Sequence, residues 1–216
     1  MSRRRIGLLG GTFDPIHIGH LALARAARDV FRLDEVRLMP TGRSWQKNHA
    51  AASAAQRLAM VDLAIGRQAG LVSDARETLR TGATYTVETL AEMRAELGPE
   101  PAIVLLMGSD QLRNLASWHR YQELLKHAHI ACTQRERVSL QNLPEPVEAL
   151  LAAHGRDSLP DQAAGSIVFF VMPPVPVSAT VLRERLARGE RPEELVPRPV
   201  LDYIDSHRLY GPATEH

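Results

Sequence analysis

Two histidines three residues apart, His17 and His20, follow a glycine pair, a threonine and an Asp-Pro step in the run GGTFDPIHIGHLALARAA from Gly10 to Ala27. Residues three apart on a helix share a face, so both imidazoles are expected to project together from a helix's first turn. Ahead of them, Ile6-Gly7-Leu8-Leu9 reads as a buried strand. Gly10 and Gly11 are expected to turn the chain tightly, and their missing side chains let a ligand reach main-chain N–H groups. Pro15 fixes φ just before the expected helix. The exposed N–H groups and positive dipole end of a helix start favour anions. Strand, glycine turn and paired histidines therefore form a phosphate site, with Thr12 and Phe13 in its loop. Zinc is not expected, because no cysteine pair or HExxH helix completes a ligand set. His119, His127 and His129 lie in a separate segment and are read as packing, capping or facing water.

Two later clusters can serve the same chemistry. Gly108-Ser109-Asp110 follows the apolar run Ala102–Met107, with Trp118 a little further on. Gly108 permits close approach of a ligand, and Asp110 can accept hydrogen bonds from ribose hydroxyls. Near the end of the chain, PVPVSATVLRERL sets Ser178 and Thr180 just ahead of a helix that carries Arg183. A lone Ser178 would be a plain N-cap. Hydroxyls, a helix start and an arginine fork together make a second anion cradle.

These groups need a scaffold, and the alternation of the sequence supplies one. Strand-like runs are Arg5–Leu9, Glu35–Pro40, Ala102–Met107, Ile130–Thr133 and Ser166–Val171, with a weaker one at Leu71–Ser73. Amphipathic helical stretches are Gly19–Phe31, Ser53–Gly66, Thr86–Leu97, Tyr121–Ala128, Pro146–His154, Ala179–Arg188 and Pro199–His207. The fold class is α/β, a Rossmann-like doubly wound parallel sheet with helices on both faces and ligands at the carboxyl ends of the strands. The 216 residues suit one domain with a substantial core, its last part, about residues 178–210, helical. The polar loop Thr41–Ala52 is long enough to move.

A formal net charge of +1 leaves no broad basic footprint for nucleic acid. A single cysteine, Cys132, rules out an intramolecular disulfide and fits a reducing compartment. The apolar stretch after Arg3-Arg4-Arg5 is too short for a signal peptide, and SIVFFVMPPVPV is too short to span a membrane. The expected location is the cytoplasm, with no membrane partner; oligomeric state is left open.

The tetrapeptide His17-Ile18-Gly19-His20 resembles the signature shared by class I aminoacyl-tRNA synthetases and the nucleotidyltransferase superfamily. No anticodon-binding part or second lysine-bearing signature loop accompanies it. The longer GGTFDPIHIGH narrows the resemblance to small-molecule adenylyltransferases. With YTVETL at Tyr85–Leu90, the GSD…W spacing, VSATVLR and ELVPRPVLDYIDSHRLY in order, nearly the whole chain resembles bacterial nicotinate-nucleotide adenylyltransferases. The resemblance implies adenylyl transfer from ATP to nicotinate mononucleotide, giving deamido-NAD and pyrophosphate in NAD biosynthesis, with Mg2+ required. It also implies that Lys47 is a phosphate ligand, that the nicotinate carboxylate sits at Tyr85 and Thr86, and that its ring stacks on Trp118. Two positions depart from the family. Ser44-Trp45-Gln46-Lys47 stands where many members have Pro-Pro-His-Lys, and Ala179 stands where many have a second serine.

The chemistry asks little of a protein base. The attacking group is a 5′-phosphate, which already carries about −1.5 to −2 charge at neutral pH. What is required is to hold two anionic groups in line and absorb charge moving onto pyrophosphate. His17, His20, Lys47 and Arg183 are assigned to the reacting phosphates, and Gly10, Gly11, Thr12, Phe13, Gly108, Asp110, Ser178 and Thr180 to ATP. Mg2+ is expected on substrate phosphates and waters rather than in a protein cage. Three alternatives stay open: an adenylyltransferase using nicotinamide mononucleotide or pantetheine phosphate, a cytidylyltransferase, and a nucleotide-binding regulator without catalysis.

Overall fold

The computed structural model describes residues 3–44, 50–134 and 143–211. Six parallel strands form one sheet: β1 (Arg5–Gly11), β2 (Glu35–Pro40), β4 (Leu71–Ser73), β6 (Ala102–Gly108), β7 (His129–Gln134) and β8 (Ile167–Val171). Their spatial order is β4-β2-β1-β6-β7-β8. The chain winds outward from β1 in one direction and from β6 in the other. The reversal between β1 and β6 is the switch point at which such sheets leave a crevice beyond their carboxyl ends. Gly11 and Gly108 end the two central strands there.

Period-two alternation assigns strand residues to the two faces. Ile6 and Leu8 of β1, Ile103, Leu105 and Met107 of β6, and Ile130 and Cys132 of β7 join one core. Leu9, Val104, Leu106, Ala131 and Val168 join the other. The first core is covered by α3 (Thr86–Leu97), α4 (Ser109–Arg113), α5 (Leu124–His127) and α6 (Glu145–His154). The second is covered by α1 (Ile18–Phe31), α2 (Ala54–Ile65), α7 (Ala179–Ala187) and α8 (Arg198–Ser206). Helix α1 buries Leu21, Ala24, Ala27 and Phe31, the stripe expected of an amphipathic helix. It ends at Arg32, whose N–H caps the Arg28 carbonyl from a left-handed conformation. Ser53 and Gln56 cap α2 reciprocally.

The elements expected from sequence are present, most within one or two residues, and helix α3 and strand β2 agree at both ends. Tyr121–Ala128 divides into a short 3-10 turn at Tyr121–Glu123 and α5. A second, two-stranded parallel sheet joins β3 (Arg43–Ser44) to β5 (Ala83–Thr84) and has no periodic signal in so short a stretch.

That small sheet depends on Gly42. A Cβ at Gly42 would overlap the Glu77 carbonyl oxygen and press on the Thr84 methyl. Replacement by alanine must push the two loops apart, because the obstructing atom is backbone. Gly42→Ala is expected to cost about 1–3 kcal/mol. Thermal unfolding should show a midpoint lowered by about 2–4 °C for each kcal/mol; an unchanged midpoint would mean that the loops yield freely.

Candidate active site

At the switch point lies a cavity of about 910 Å³. Its walls include Gly10, Gly11, Thr12, Phe13, His17 and His20 from the first loop, and Gly108, Asp110 and Trp118 from the segment after β6. Ser178, Thr180 and Arg183 enter from the start of α7, and Thr86 from the start of α3. Four chain regions distant in sequence thus contribute to one cleft. Lys47 lies outside the described residues.

The first loop differs from expectation in where it turns. Gly10 and Gly11 continue β1, and the left-handed residue is Phe13, with φ 50°. The Phe13 ring folds under Gly11, where a Cβ would come within 3.0 Å of it. A Cβ on Gly10 would meet nothing within 4 Å, so that position faces open cavity. The glycines therefore supply clearance, and the buried phenylalanine supplies the turn. The Asp14–Pro15 peptide is cis.

His17 is the N-cap of α1 and His20 its third residue. Their rings stack with centroids 3.7 Å apart and 18° between planes, and Phe13 meets His20 edge-on at 4.9 Å. The His17 N–H donates to His20 Nδ1 at 3.3 Å, which leaves the proton of a neutral His20 ring on Nε2. His17 Nδ1 is buried without a partner. Burial lowers the His17 pKa from 6.5 to about 4. At neutral pH this ring is an uncharged hydrogen-bonding group.

Fixed positive charge comes from Arg183. Its Nη1 donates to the Asp14 carbonyl at 2.8 Å and its Nη2 to Thr180 Oγ1 at 3.4 Å, so two protein acceptors orient the fork. Ser178 is the N-cap of α7 and makes no side-chain capping bond. Asp110 bends back over Gly108, where a Cβ would stand 2.6 Å from its Oδ1. Besides His17 Nδ1, three cavity-lining side chains hold a buried polar atom without a partner: Thr41 Oγ1, Thr133 Oγ1 and Trp118 Nε1. Buried groups of this kind are rarely left unsatisfied, and their convergence on one cleft marks a ligand site.

Tyr85 stands apart from the other assigned residues. It is the N-cap of α3, its ring lies 4.4 Å from that of His119, and it packs against the first core. The backbone at the start of α3, rather than the phenol, is what this segment offers a carboxylate.

Sequence reasoning passed over two buried charged residues. Glu77 lines the cavity, accepts the Thr89 hydroxyl at 2.7 Å and bonds to Thr84; burial raises its pKa. Arg57, 2 % exposed, donates to the carbonyls of Thr12 at 2.8 Å, Gly42 at 3.2 Å and Ala52 at 3.3 Å. Nothing in RETLRTG or AAQRLAM distinguishes them from ordinary surface charges. Asp14 fixes the loop at the Asp-Pro step. Its carboxylate does so by accepting Ala51 N–H at 2.8 Å, Ala52 N–H at 3.1 Å and the Tyr210 hydroxyl at 2.6 Å.

The His17 environment sets a pH dependence. An unfolded histidine binds its proton near pH 6.5 and the folded one near 4, so the unfolded chain takes up more protons between those values. Stability should therefore fall as pH drops through this window, by about 3 kcal/mol from this residue. NMR should find the His17 ring neutral at pH 6, and pyrophosphate should raise its midpoint. A free-protein midpoint near 6.5 would show that the ring is solvated.

A family profile described as Cytidylyltransferase-like matches residues 8–185. A Pseudomonas fluorescens protein named "Probable nicotinate-nucleotide adenylyltransferase" is 45% identical over 209 residues, covering 96% of this chain and 97% of that protein. A Herminiimonas arsenicoxydans protein of the same name is 42% identical over 212 residues, with 96% and 97% covered. The Plasmodium falciparum nicotinic acid mononucleotide adenylyltransferase complexed with NaAD superposes with a TM-score of 0.72 at 17% identity, covering 96% of this chain and 98% of that one. That last likeness concerns the fold. The sequence relationships reach further, and the chain belongs to the nicotinate-nucleotide adenylyltransferases within the cytidylyltransferase-like family.

Proposed function

We propose that this chain transfers the adenylyl group of ATP to nicotinate mononucleotide, forming deamido-NAD and pyrophosphate, a step of NAD biosynthesis. The observation that carries this reading is the convergence of the stacked His17 and His20 rings, the former uncharged at neutral pH, the Arg183 fork held by the Asp14 carbonyl and two helix starts on one cavity. An oxygen of the acceptor's 5′-phosphate attacks the α-phosphorus, the bond to the bridging oxygen of the β-phosphate breaks, and pyrophosphate leaves. The protein positions the two anions and stabilises the leaving charge. His17 and His20 donate hydrogen bonds at the α1 end, and Arg183, Ser178 and Thr180 receive the leaving phosphates at the α7 end. Lys47 is assigned to the same phosphates. Gly10, Gly11, Thr12 and Phe13 shape the nucleotide cleft, and Gly108 and Asp110 take the ribose side.

Mg2+ belongs to this chemistry as a charge-neutralising ion. Among the described residues, no group of three or more His, Cys, Asp or Glu side chains is placed to hold a metal. Asp14 has its carboxylate engaged by three protein donors. We infer that the ion would be carried on substrate phosphates and waters, as Mg2+ prefers.

Acceptor choice is assigned to the start of α3. Backbone N–H groups there suit a carboxylate, whereas a carboxamide gains less from them. The Glu77 carboxyl is the adjacent acceptor, and its Oε1 is already taken by Thr89. Trp118 offers a stacking face that does not distinguish acid from amide. No helix among the described residues is long and apolar enough to cross a membrane.

A pyrophosphate-release assay with ATP, Mg2+ and a panel of acceptors tests the reading. Nicotinate mononucleotide should exceed nicotinamide mononucleotide at least tenfold in kcat/KM, about 1.4 kcal/mol. Equal use of the two overturns the assigned carboxylate site. Activity with pantetheine phosphate or with CTP overturns the assigned substrates. ATP binding without turnover on any acceptor establishes a regulator. Trp118→Ala should weaken both pyridine acceptors and keep most of the ratio. His17→Ala or His20→Ala should lower kcat by about 3–4 kcal/mol of transition-state stabilisation, with much smaller changes in KM; near-normal turnover in a folded variant would remove the histidines from the mechanism.

A further inference from the structure

The C-terminal third of the chain reaches the phosphate loop at three points. The Ile18 N–H, first in α1, donates to the Leu195 carbonyl at 3.0 Å. Arg183 donates to the Asp14 carbonyl at 2.8 Å. The Tyr210 hydroxyl donates to Asp14 Oδ1 at 2.6 Å, across 196 positions of sequence. Helix α7 would bring Arg183 to the cleft without that last contact, so the Tyr210 bond needs its own explanation.

Packing alone does not explain it. The Tyr210 ring lies against the α1–α2 core, a contact that a phenylalanine would make equally well. The hydroxyl points to a carboxylate that lines the reaction cavity and is itself 4 % exposed. Burial, followed by the Asp14 bond and charge, raises the Tyr210 pKa and fixes the group as a donor. The chain also accepts two left-handed residues, Arg208 at φ 51° and Tyr210 at φ 60°, to end α8 and deliver the ring. Neither is glycine, and such conformations persist only where their surroundings over-determine them.

We propose that Tyr210 is a positioning residue for adenylyl transfer, holding through Asp14 the loop that carries His17 and the carbonyl that orients Arg183. The inference rests on the activity given under Proposed function. Asp14 links the groups concerned. Its carboxylate ties Tyr210 to the Ala51 and Ala52 N–H groups, and its carbonyl receives Arg183. Removing the phenolic donor lets the buried carboxylate rotate toward its remaining donors and draws its own carbonyl with it. The Arg183 fork then loses its alignment with the departing phosphates. Misplacement of that kind acts on the transition state, where geometry is most demanding, more than on ground-state binding.

Tyr210→Phe in the full chain tests this, because it keeps the ring and removes one oxygen. Expected is a kcat lowered roughly tenfold or more, with KM for ATP and for the acceptor within about threefold of the unmodified values. In an Asp14→Asn background, or an Arg183→Lys background if the former does not fold, Tyr210→Phe should add less than about twofold. An unchanged kcat with a lowered unfolding midpoint would make the hydroxyl a structural bond only and overturn the proposal. A KM effect without a kcat effect, or full multiplicative losses in both backgrounds, overturns it as well. If the unmodified chain forms no dinucleotide, the assigned activity and this inference fail together. If it is active and Tyr210→Phe matches it, this inference alone fails.

Discussion

Two buried charges of opposite sign, Asp14 and Arg57, hold together the loops from which the site is made. Arg57 gathers three backbone carbonyls, from Thr12, Gly42 and Ala52. Asp14 gathers the N–H groups of Ala51 and Ala52. The loop after β2 is thereby fixed at both of its roots to the loop after β1. Each charge loses hydration on burial, and burial alone lowers the Arg57 pKa, while the Asp14 charge opposes that shift. Removing either side chain leaves buried backbone groups of these loops without partners, which typically costs about 1–3 kcal/mol. The site's rigidity thus comes from polar groups that never touch the reacting atoms.

This arrangement explains how a sheet with an ordinary hydrophobic core supports a precise polar cleft. The two cores on either face of the sheet fix the ends of β1 and β6. They do not fix the loops beyond those ends, which carry backbone groups that must find partners. Arg57 and Asp14 satisfy those groups, and the Thr89 hydroxyl donating to Glu77 joins the loop after β4 to α3. Partnerless atoms then remain where a ligand would complete them, at His17, Thr41, Trp118 and Thr133.

The regular elements were legible in the sequence because their signals are local. Apolar runs of β1, β2, β6, β7 and β8 and the stripe on α1 follow from periods of two and 3.6 residues. The site residues on the first loop, after β6 and before α7 were legible because each cluster falls where a parallel sheet places its ligands. Long-range polar partners were not. That Arg57 faces Thr12 while its helix neighbours face solvent depends on how α2 docks, and no residue near position 57 encodes this. The turn at Phe13 was assigned to the glycines because glycine is the usual left-handed residue. Here the aromatic ring's burial offsets the strain, and Gly11 is needed to make room for it.

The charge state of the histidines completes the electrostatic argument. A cationic His17–His20 stack would place two like charges with ring centroids 3.7 Å apart in a buried wall. Desolvation of His17 and the donor–acceptor bond between the His17 backbone and His20 favour neutral rings instead. The cleft therefore avoids strong self-repulsion and presents dipoles, an oriented arginine and helix ends. In the proposed reaction negative charge enters with the substrates, and neutral donors in the wall would stabilise that charge as it shifts onto pyrophosphate. Donors already aimed at that position need no reorganisation when the bond breaks. A site poised in this way depends on exact loop placement more than on net charge, which is why its supports extend through Asp14 to Tyr210, near the far end of the chain.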